Sequence, residues 1–402
     1  MASIFAGKNI VLGVTGSIAA FKVAGWVSSL AKEEADVSVI MTESARKFVA
    51  PLTFEALSGN KTYISMFGTG DKDAMAHINL GREADLMLIA PATANTIAKL
   101  ANGIADDLLT TTALVTRAKV VVCPAMNSKM YSHTVTTQNI KKLKEIGYHV
   151  LDPAHGTMAC KEEGDGRLVE WEEVAEHLAK GLTEQKLKGK IVLVTAGPTR
   201  EPLDPARFLS NRSSGKMGYA MARSAFRRGA AVILISGPTT LSCPTGVTRI
   251  DVQSAQDMYD AVLKHSSRAD IIVKTSAVAD YRPAEKAEHK VKKEQIELQL
   301  RLKQNPDILY ELGKRKTKGQ LLVGFAAESQ DLRAAGLKKL KKKRLDLIAV
   351  NDISGTNSGF ESENNQILLL FPEGSESLPY TSKQHTADLI WDKIVSLFEK
   401  NL

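Results

Sequence analysis

Residues 8–45 read KNIVLGVTGSIAAFKVAGWVSSLAKEEADVSVIMTESA, and their apolar pattern decides the fold class. A short apolar run ends in the glycine turn Gly13–Gly16. An amphipathic segment follows, then a second apolar run, VSVIMT. Continuous apolar runs fit strands buried on both faces, and the segment between them has helical periodicity. The stretch is a β-α-β unit.

Outward from it the form repeats. ADLMLIAPATANTIAKLANG (84–103) is strand, small-residue loop and helix, and AKVVVCPAMNSKMY (118–131) adds a strand ending in a Pro/Asn turn. From about residue 174 the pattern turns helical, then polar and basic in TEQKLKGK. It then restarts: KIVLVTAGPTREPLD, AAVILISGP, ADIIVKTSAVAD, LLVGFAAES and LDLIAVND each end an apolar run in a polar or glycine-containing loop. Such alternation predicts parallel sheets covered on both faces. The expectation is an α/β protein with two doubly wound, mainly parallel-sheet, Rossmann-like domains, 1–180 and 190–402, joined by a linker at 181–189.

The chain has 402 residues, 44% hydrophobic and 24% charged, which is ordinary globular material. A formal charge of +8 favours anionic partners such as phosphates. Aromatics are only 5% and no base-stacking motif interleaves with the basic runs, so no nucleic-acid partner is expected. Cys123, Cys160 and Cys243 are too few and too scattered for a disulfide framework or a zinc site, and a reducing cytoplasm is the natural reading. The N-terminal stretch lacks a charged n-region and a cleavage signature. No apolar run reaches ~18 residues, so no membrane partner is expected.

Several loops carry candidate chemistry. Backbone N–H groups around Gly16 and Ser17, at a helix start, suit a phosphate. The loop departs from G-x-G-x-x-G, and MTESA offers no lone ribose-binding acid. Both facts argue against the competing reading, an NAD(P) oxidoreductase with a regulatory second domain. APATANT (90–96) and CPAMNSKMY (123–131) sit at strand ends, where open α/β sheets bind ligands. Asn127 there can present its amide to a carboxylate. His77 read alone is a partly buried histidine, and Cys160 in GTMACKEEGDGRL (156–168) is by itself a weak signal. In the second half, LSNRSSGKMG (209–218) is not a P-loop, because Met217 follows Lys216. Its Ser213, Ser214 and Gly215 suit anionic oxygens, with Arg207 and Arg212 adding charge, and a helix is expected to start near Ser213–Lys216. KQNPDIL predicts a helix start with Pro306 at the first position and Asp307 in the first turn. Lys339 and Lys343 share a helix face, although solvation alone would explain a lysine-rich helix.

Taken together, GSIAAFK, HINL, APATANT, PAMNSKMY and ACKEEGDGRL resemble, in order and spacing, the FMN-dependent cysteine decarboxylases, and within them the decarboxylase half of the bifunctional coenzyme A biosynthesis family. The resemblance covers the whole first half and implies a flavodoxin-like flavoprotein fold. It implies that Gly16, Ser17, Thr42, Ser44 and the loop Thr93, Ala94, Asn95 and Thr96 hold FMN. His77 would be the active-site base or orienter, Asn127 would bind the substrate carboxylate, and Cys160, on a mobile flap, would donate a proton. Tyr131 stands where some members have Trp, and Thr93 where some have Ser. Loss of CO₂ from an alkyl carboxylate needs an electron sink. Prior oxidation of the thiol-bearing carbon by the flavin would create one, leaving the protein to orient and protonate. An ordinary thiol, with a pKa of about 8.5, is protonated at neutral pH and can act as an acid.

AGPTREPLDPARFLSNRSSGKMG, SAVADYR, KVKK, NPDIL, GFAAE, the KLKKKRLDLIAVND run and GFESEN likewise resemble the phosphopantothenate–cysteine ligase half of the same family, over 190–402. That resemblance implies a CTP- and Mg²⁺-dependent reaction of 4′-phosphopantothenate and L-cysteine through an acyl-cytidylate. It implies that Lys274, Thr275, Ser276, Asp280, Lys290, Asn305, Pro306, Asp307, Ile308, Phe325, Lys339 and Lys343 contact CTP. Lys290 would act in forming the acyl-cytidylate, Asn211 in converting it, and Arg207 would serve the phosphopantothenate phosphate. Which of Lys290, Lys292 and Lys293 contributes most stays open, as does the metal site. The family implies a homo-oligomer, with trimeric decarboxylase contacts, dimeric ligase contacts and a dodecamer.

Overall fold

Alternate residues of each central strand feed two opposite cores, which is why the sheets are covered on both faces. The computed structural model describes residues 3–67, 75–291, 300–328, 330–352 and 362–400. It divides into two units, Met1–Thr183 and Glu184–Leu402.

In the first unit the strands are β1 (Asn9–Val14), β2 (Asp36–Met41), β3 (Thr62–Tyr63), β4 (Leu86–Ala92), β5 (Lys119–Pro124) and β6 (His149–Val150), followed by the hairpin β7 (Ala154–Thr157) and β8 (Glu163–Arg167). The sheet order is β3-β2-β1-β4-β5-β6, parallel throughout. On β4, Leu86, Leu88 and Ala90 pack toward the helices Ala20–Lys32 and Trp171–Leu182. Met87, Ile89 and Ala92 pack toward Ala94–Asn102, Leu108–Val115 and Thr134–Glu145. The order is that of the Rossmann fold, and it reverses between β1 and β4. Without the two-residue edge strand β3, the other five strands run in flavodoxin order.

The second unit comprises β9 (Ile191–Ala196), the hairpin β10 (Arg200–Pro202) and β11 (Phe208–Ser210), β12 (Ala231–Ser236), β13 (Val247–Asp251) and β14 (Ile271–Lys274). The hairpin β15 (Tyr281–Pro283) and β16 (Leu302–Gln304) follows, then β17 (Leu321–Glu328), β18 (Leu347–Asp352), β19 (Asn364–Asn365), β20 (Ile367–Phe371), β21 (Gly374–Ser377) and β22 (Thr381–Ser382). The main sheet runs β13-β12-β9-β14-β17-β18-β20-β21. It is parallel as far as β18, while β20 and β21 join antiparallel. Val192, Val194 and Ala196 of β9 face the helices Lys216–Arg227 and Lys383–Lys400, whose Trp391 is fully buried and donates its ring N–H to the Met221 carbonyl at 2.9 Å. Leu193 faces the other core, with Met258, Leu309 and Leu340.

Within 181–189, the helix Trp171–Leu182 ends and Leu187 is fully buried in the second unit's core. One local expectation is revised. In KQNPDIL the helix is Ile308–Arg315, and Asp307 is its cap, accepting the Tyr310 N–H at 3.0 Å. Pro306 therefore precedes the cap. An Asp oxygen satisfies an orphan N–H best from the cap position itself. The helix after LSNRSSGKMG begins at Lys216, with Gly215 left-handed at φ 78° as its cap. No helix is long and apolar enough to cross a membrane among the described residues.

Candidate active sites

Loops at the C-terminal ends of β1, β2 and β4 are knitted together beside the reversal point of the first sheet. The buried Thr15 hydroxyl donates to the Pro91 carbonyl and accepts the Thr93 N–H at 3.1 Å. Thr42 N–H donates to Val14 O at 3.0 Å. Gly16 lies so close to the β2 loop that an added Cβ would fall 2.4 Å from Ser44 Cβ. The Thr93 hydroxyl caps the helix Ala94–Asn102 by accepting the Thr96 N–H at 3.3 Å and meets the Thr96 hydroxyl at 3.1 Å. Capping alone accounts for those two side chains, whereas Asn95 stays exposed in the first turn.

A cavity of about 630 Å³ at the end of β1 and β5 has Ser17, Asn127 and Cys160 in its wall, among apolar neighbours that include Ile18, Phe21, Met126 and Met158. Cys160 is an exposed free thiol in the turn of the β7–β8 hairpin. Asn127 caps the short helix Ser128–Ser132 through its side-chain oxygen, which accepts the Lys129 N–H at 2.9 Å. That fixes its amide nitrogen outward, 3.4 Å from Cys160 Sγ and 2.8 Å from a Glu162 carboxylate oxygen. The Asn127 N–H and the Lys129 ammonium, at 3.3 Å, hold the Glu162 carboxyl below its ordinary range. Sequence reasoning missed Glu162 and Lys129; the acid pair following Cys160 was the only local signal. Gly16, Thr42, Ser44, Thr93–Thr96 and His77 lie outside this cavity's lining. His77 sits in the helix Ala76–Glu83, with Nδ1 buried and unpartnered among the described residues.

In the second unit a cavity of about 500 Å³ opens where the sheet order reverses between β9 and β14. Its wall includes Asn211 and all the expected nucleotide contacts except Lys290: Lys274, Thr275, Ser276, Asp280, Asn305, Pro306, Asp307, Ile308, Phe325, Lys339 and Lys343. Fold topology explains much of the gathering: Lys274, Thr275 and Ser276 end or follow β14, and Asn305 to Ile308 follow β16, while Phe325 comes from within β17 and Lys339 and Lys343 from the helix Leu332–Lys342 and its C-cap. Gly218 lets the helix Lys216–Arg227 press against the sheet; a Cβ there would fall 2.4 Å from the Thr275 hydroxyl and 2.5 Å from Ala196 Cβ.

Lys339 and Lys343 of the cavity are ion-paired, whereas Lys274 is held by hydrogen bonds to Ser276. Lys274 is 8% exposed, and its ammonium donates to the Ser276 hydroxyl at 2.6 Å. Burial, and then the nearby Lys343, bring its pKa down to about 7, against the opposing pull of Asp307 and Asp280. Lys343 pairs with Asp307 at 3.0 Å and Lys339 with Glu328 at 2.6 Å. Lys338, Lys341 and Lys342, from the same basic run, are exposed. Asn305 is locked by donating to Ala279 O at 2.8 Å and accepting from Arg282 at 2.6 Å. The Asn211 amide donates to the carbonyls of Ala277 (3.3 Å) and Val278 (3.1 Å).

Arg207 and Lys290 stand apart from the cavity wall. The Arg207 guanidinium pairs with the buried carboxylate of Asp204 and donates to Val291 O at 2.9 Å, beside Lys290. Lys292, Lys293 and the first part of GFESEN lie outside the described residues. Lys216, Asn351, Asn365 and Lys383 line the cavity without having been singled out as site residues. No cluster of metal-ligating side chains occurs among the described residues.

The flavoprotein family matches residues 5–183, and the DNA/pantothenate metabolism flavoprotein C-terminal domain matches residues 187–398. The chain is 47% identical over 395 residues to the coenzyme A biosynthesis bifunctional protein CoaBC of Bacillus subtilis (strain 168), covering 97% of each chain. It is 44% identical over 380 residues to the protein of that name from Vibrio vulnificus (strain YJ016), covering 94% of this chain and 95% of the relative. The crystal structure of the C-terminal domain of a CoaBC protein is similar at 42% identity and a TM-score of 0.47, spanning 54% of this chain and all of that one.

Proposed function

The chain belongs to the family of coenzyme A biosynthesis bifunctional proteins, and from that premise we propose how its residues divide the work. It is a flavoprotein with two activities, a phosphopantothenoylcysteine decarboxylase and a phosphopantothenate–cysteine ligase, and it uses phosphopantothenate and cysteine.

In the first unit the flavin is FMN, which supplies the two-electron chemistry of the decarboxylation when bound. The fit rests on the tight Gly16–Ser44 approach and on the apolar cavity beside it. Gly16, Ser17, Thr42, Ser44 and Thr93–Thr96 hold it, with backbone N–H groups at the phosphate. Asn127 donates its amide N–H to the substrate carboxylate. The 2.8 Å bond from that N–H to Glu162 supports this role, because a carboxylate already takes it. Cys160 Sγ–H protonates the decarboxylated product, and His77 orients the substrate.

Gly16→Ala tests the flavin cradle. The methyl meets Ser44 Cβ, so flavin binding is expected to weaken by about 1–3 kcal/mol, the usual cost of overpacking. Visible flavin absorbance of the purified protein reads this, and adding Ser44→Gly is expected to restore part of it. Full flavin retention in Gly16→Ala would contradict the assignment.

In the second unit the cavity takes CTP. Lys274, Lys339 and Lys343 neutralise phosphoryl oxygens, with Mg²⁺ carried on the phosphates. The phosphopantothenate carboxylate attacks the α-phosphorus and pyrophosphate leaves; the cysteine amine then displaces CMP. Lys290 serves the first step, Asn211 the second, and Arg207 the phosphate of phosphopantothenate. The observation that carries this reading is the convergence of three lysines and Asn211 on one cavity. Its test is to supply 4′-phosphopantothenate, cysteine, CTP and Mg²⁺ and to look for 4′-phosphopantetheine, CO₂, CMP and pyrophosphate. Absence of CMP would refute the nucleotide assignment.

A pH signature follows from Lys274. Its folded pKa of about 7 lies below the ordinary 10.5. Between those values the unfolded chain binds more protons, so this group's contribution to stability rises with pH across that window. Anionic phosphates beside Nζ raise the pKa again, so CTP binding near pH ~8 is expected to take up protons. Calorimetry in buffers of different ionisation enthalpy measures the uptake. Lys274→Met is expected to abolish it, and unchanged uptake would remove Lys274 from the phosphate site.

Exposed Ile18, Phe21, Phe48 and Leu52 on the first unit support assembly through that unit, in trimers grouped as a dodecamer, with dimeric contacts in the ligase unit. A cytoplasmic location completes the reading.

A further inference from the structure

One wall of the ligase cavity has buried polar atoms that none of the roles above uses. Asn351, near the end of β18, is 9% exposed, and Asn365, on β19, is 3% exposed. Both line the cavity. The side-chain oxygen of each is buried and has no hydrogen-bond partner among the described residues. A buried amide oxygen left unpaired carries an uncompensated desolvation cost. At a cavity wall, that cost is relieved by a donor that arrives with a ligand.

A buried lysine lines the same cavity as these acceptors. β19 pairs with β22, Asn365 opposite Thr381 and Asn364 opposite Ser382, so Lys383, the next residue, comes to the same wall. Lys383 is 6% exposed and donates to the Ser362 carbonyl. Lys216, paired with Glu363, lines the cavity too.

Two neutral acceptors sharing a cavity with a buried ammonium complement a zwitterion. A phosphate would engage the cations and leave both oxygens unpaired, and a cytosine amino group would engage the oxygens and ignore the cations. An α-amino acid uses both. We propose that Asn351, Asn365 and Lys383 form the subsite for the amino-acid co-substrate of the ligase, the two amide oxygens accepting from its amino group and Lys383 binding its carboxylate. The proposal rests on the ligase reading above. Held there, the amino group binds as the ammonium, loses one proton to solvent, and then shares a cavity with the acyl-cytidylate as the free amine. Its nitrogen forms the amide bond to the acyl carbon while the bond from that carbon to the CMP oxygen breaks. CMP leaves with the electron pair, and the amine proton passes to solvent.

The test separates the two half-reactions in the full chain. Pyrophosphate release with CTP and 4′-phosphopantothenate alone reports the first, and CMP release on adding L-cysteine reports the second. Asn351→Ala and Asn365→Ala are expected to raise the KM for cysteine roughly 10- to 100-fold, as for loss of a hydrogen bond to a charged group, with the first half-reaction unchanged. Asn365→Asp keeps an acceptor and is expected to stay near the wild-type KM. Lys383→Met is expected to bring the use of cysteine down to that of cysteamine, which lacks the carboxylate, while the use of cysteamine stays unchanged. An unchanged cysteine KM would overturn the proposal, as would loss of pyrophosphate release, which would assign these residues to the nucleotide. Wild-type protein releasing no CMP on addition of cysteine would instead refute the ligase reading itself.

Discussion

Cys160→Ala is expected to stop turnover in the first unit and to leave the second unit's reaction at its wild-type rate. The thiol is exposed in a hairpin turn, and its nearest polar contact is the Asn127 amide at 3.4 Å. Removing it opens no cavity in a core, so thermal stability should hold. What is lost is a proton donor at the cavity wall, and loss of a positioned acid typically lowers rate about 10²- to 10⁴-fold. Steady-state CO₂ release beyond the first turnover reports the first unit, and cysteine-dependent CMP release the second. Equal loss of both would refute the assignment of Cys160 to decarboxylation alone.

Asn211→Asp is expected to split the ligase reaction between its halves. The Asn211 amide N–H groups reach the Ala277 and Val278 carbonyls, which fixes the side chain against the end of β14. A carboxylate there cannot donate, faces two carbonyl oxygens, and adds negative charge beside an anionic intermediate. Formation of the acyl-cytidylate should survive, seen as a burst of pyrophosphate. Its conversion by cysteine should fall about 10²- to 10³-fold, the usual scale for losing a positioned donor. Normal steady-state ligation, or loss of the pyrophosphate burst, would contradict the role given to Asn211.

Sequence and tertiary structure contributed unequally to these assignments. Strand runs such as LMLIA and VVVC were legible because a strand buried on both faces must be apolar at every position. The loops at their ends were legible because small and polar residues interrupt such runs sharply. The role of Asp307 was misplaced by two helical positions, because Asn-Pro-Asp fits either a first turn or a cap until the backbone decides. Arg207 read as charge added to the loop, and nothing in PLDPARF shows that Asp204 folds back to engage it. In the basic run 338–344 composition could not separate the lysines. Helix rotation turned Lys339 and Lys343 to the cavity and left Lys338, Lys341 and Lys342 exposed.

By itself, then, the sequence determined two α/β units, their parallel sheets and the ligand-bearing ends of their strands. Periodicity and turn chemistry are local, and each run of residues carries its own share of that information. Tertiary structure alone decided which distant loops meet. Strand order brings the end of β14, the start of the helix Ile308–Arg315 and Lys339 to one cavity. The antiparallel addition of β20 and the pairing of β19 with β22 bring Asn351, Asn365 and Lys383 to the same wall. Those meetings depend on sheet order, register and burial, which belong to the folded chain as a whole and to no single stretch of it.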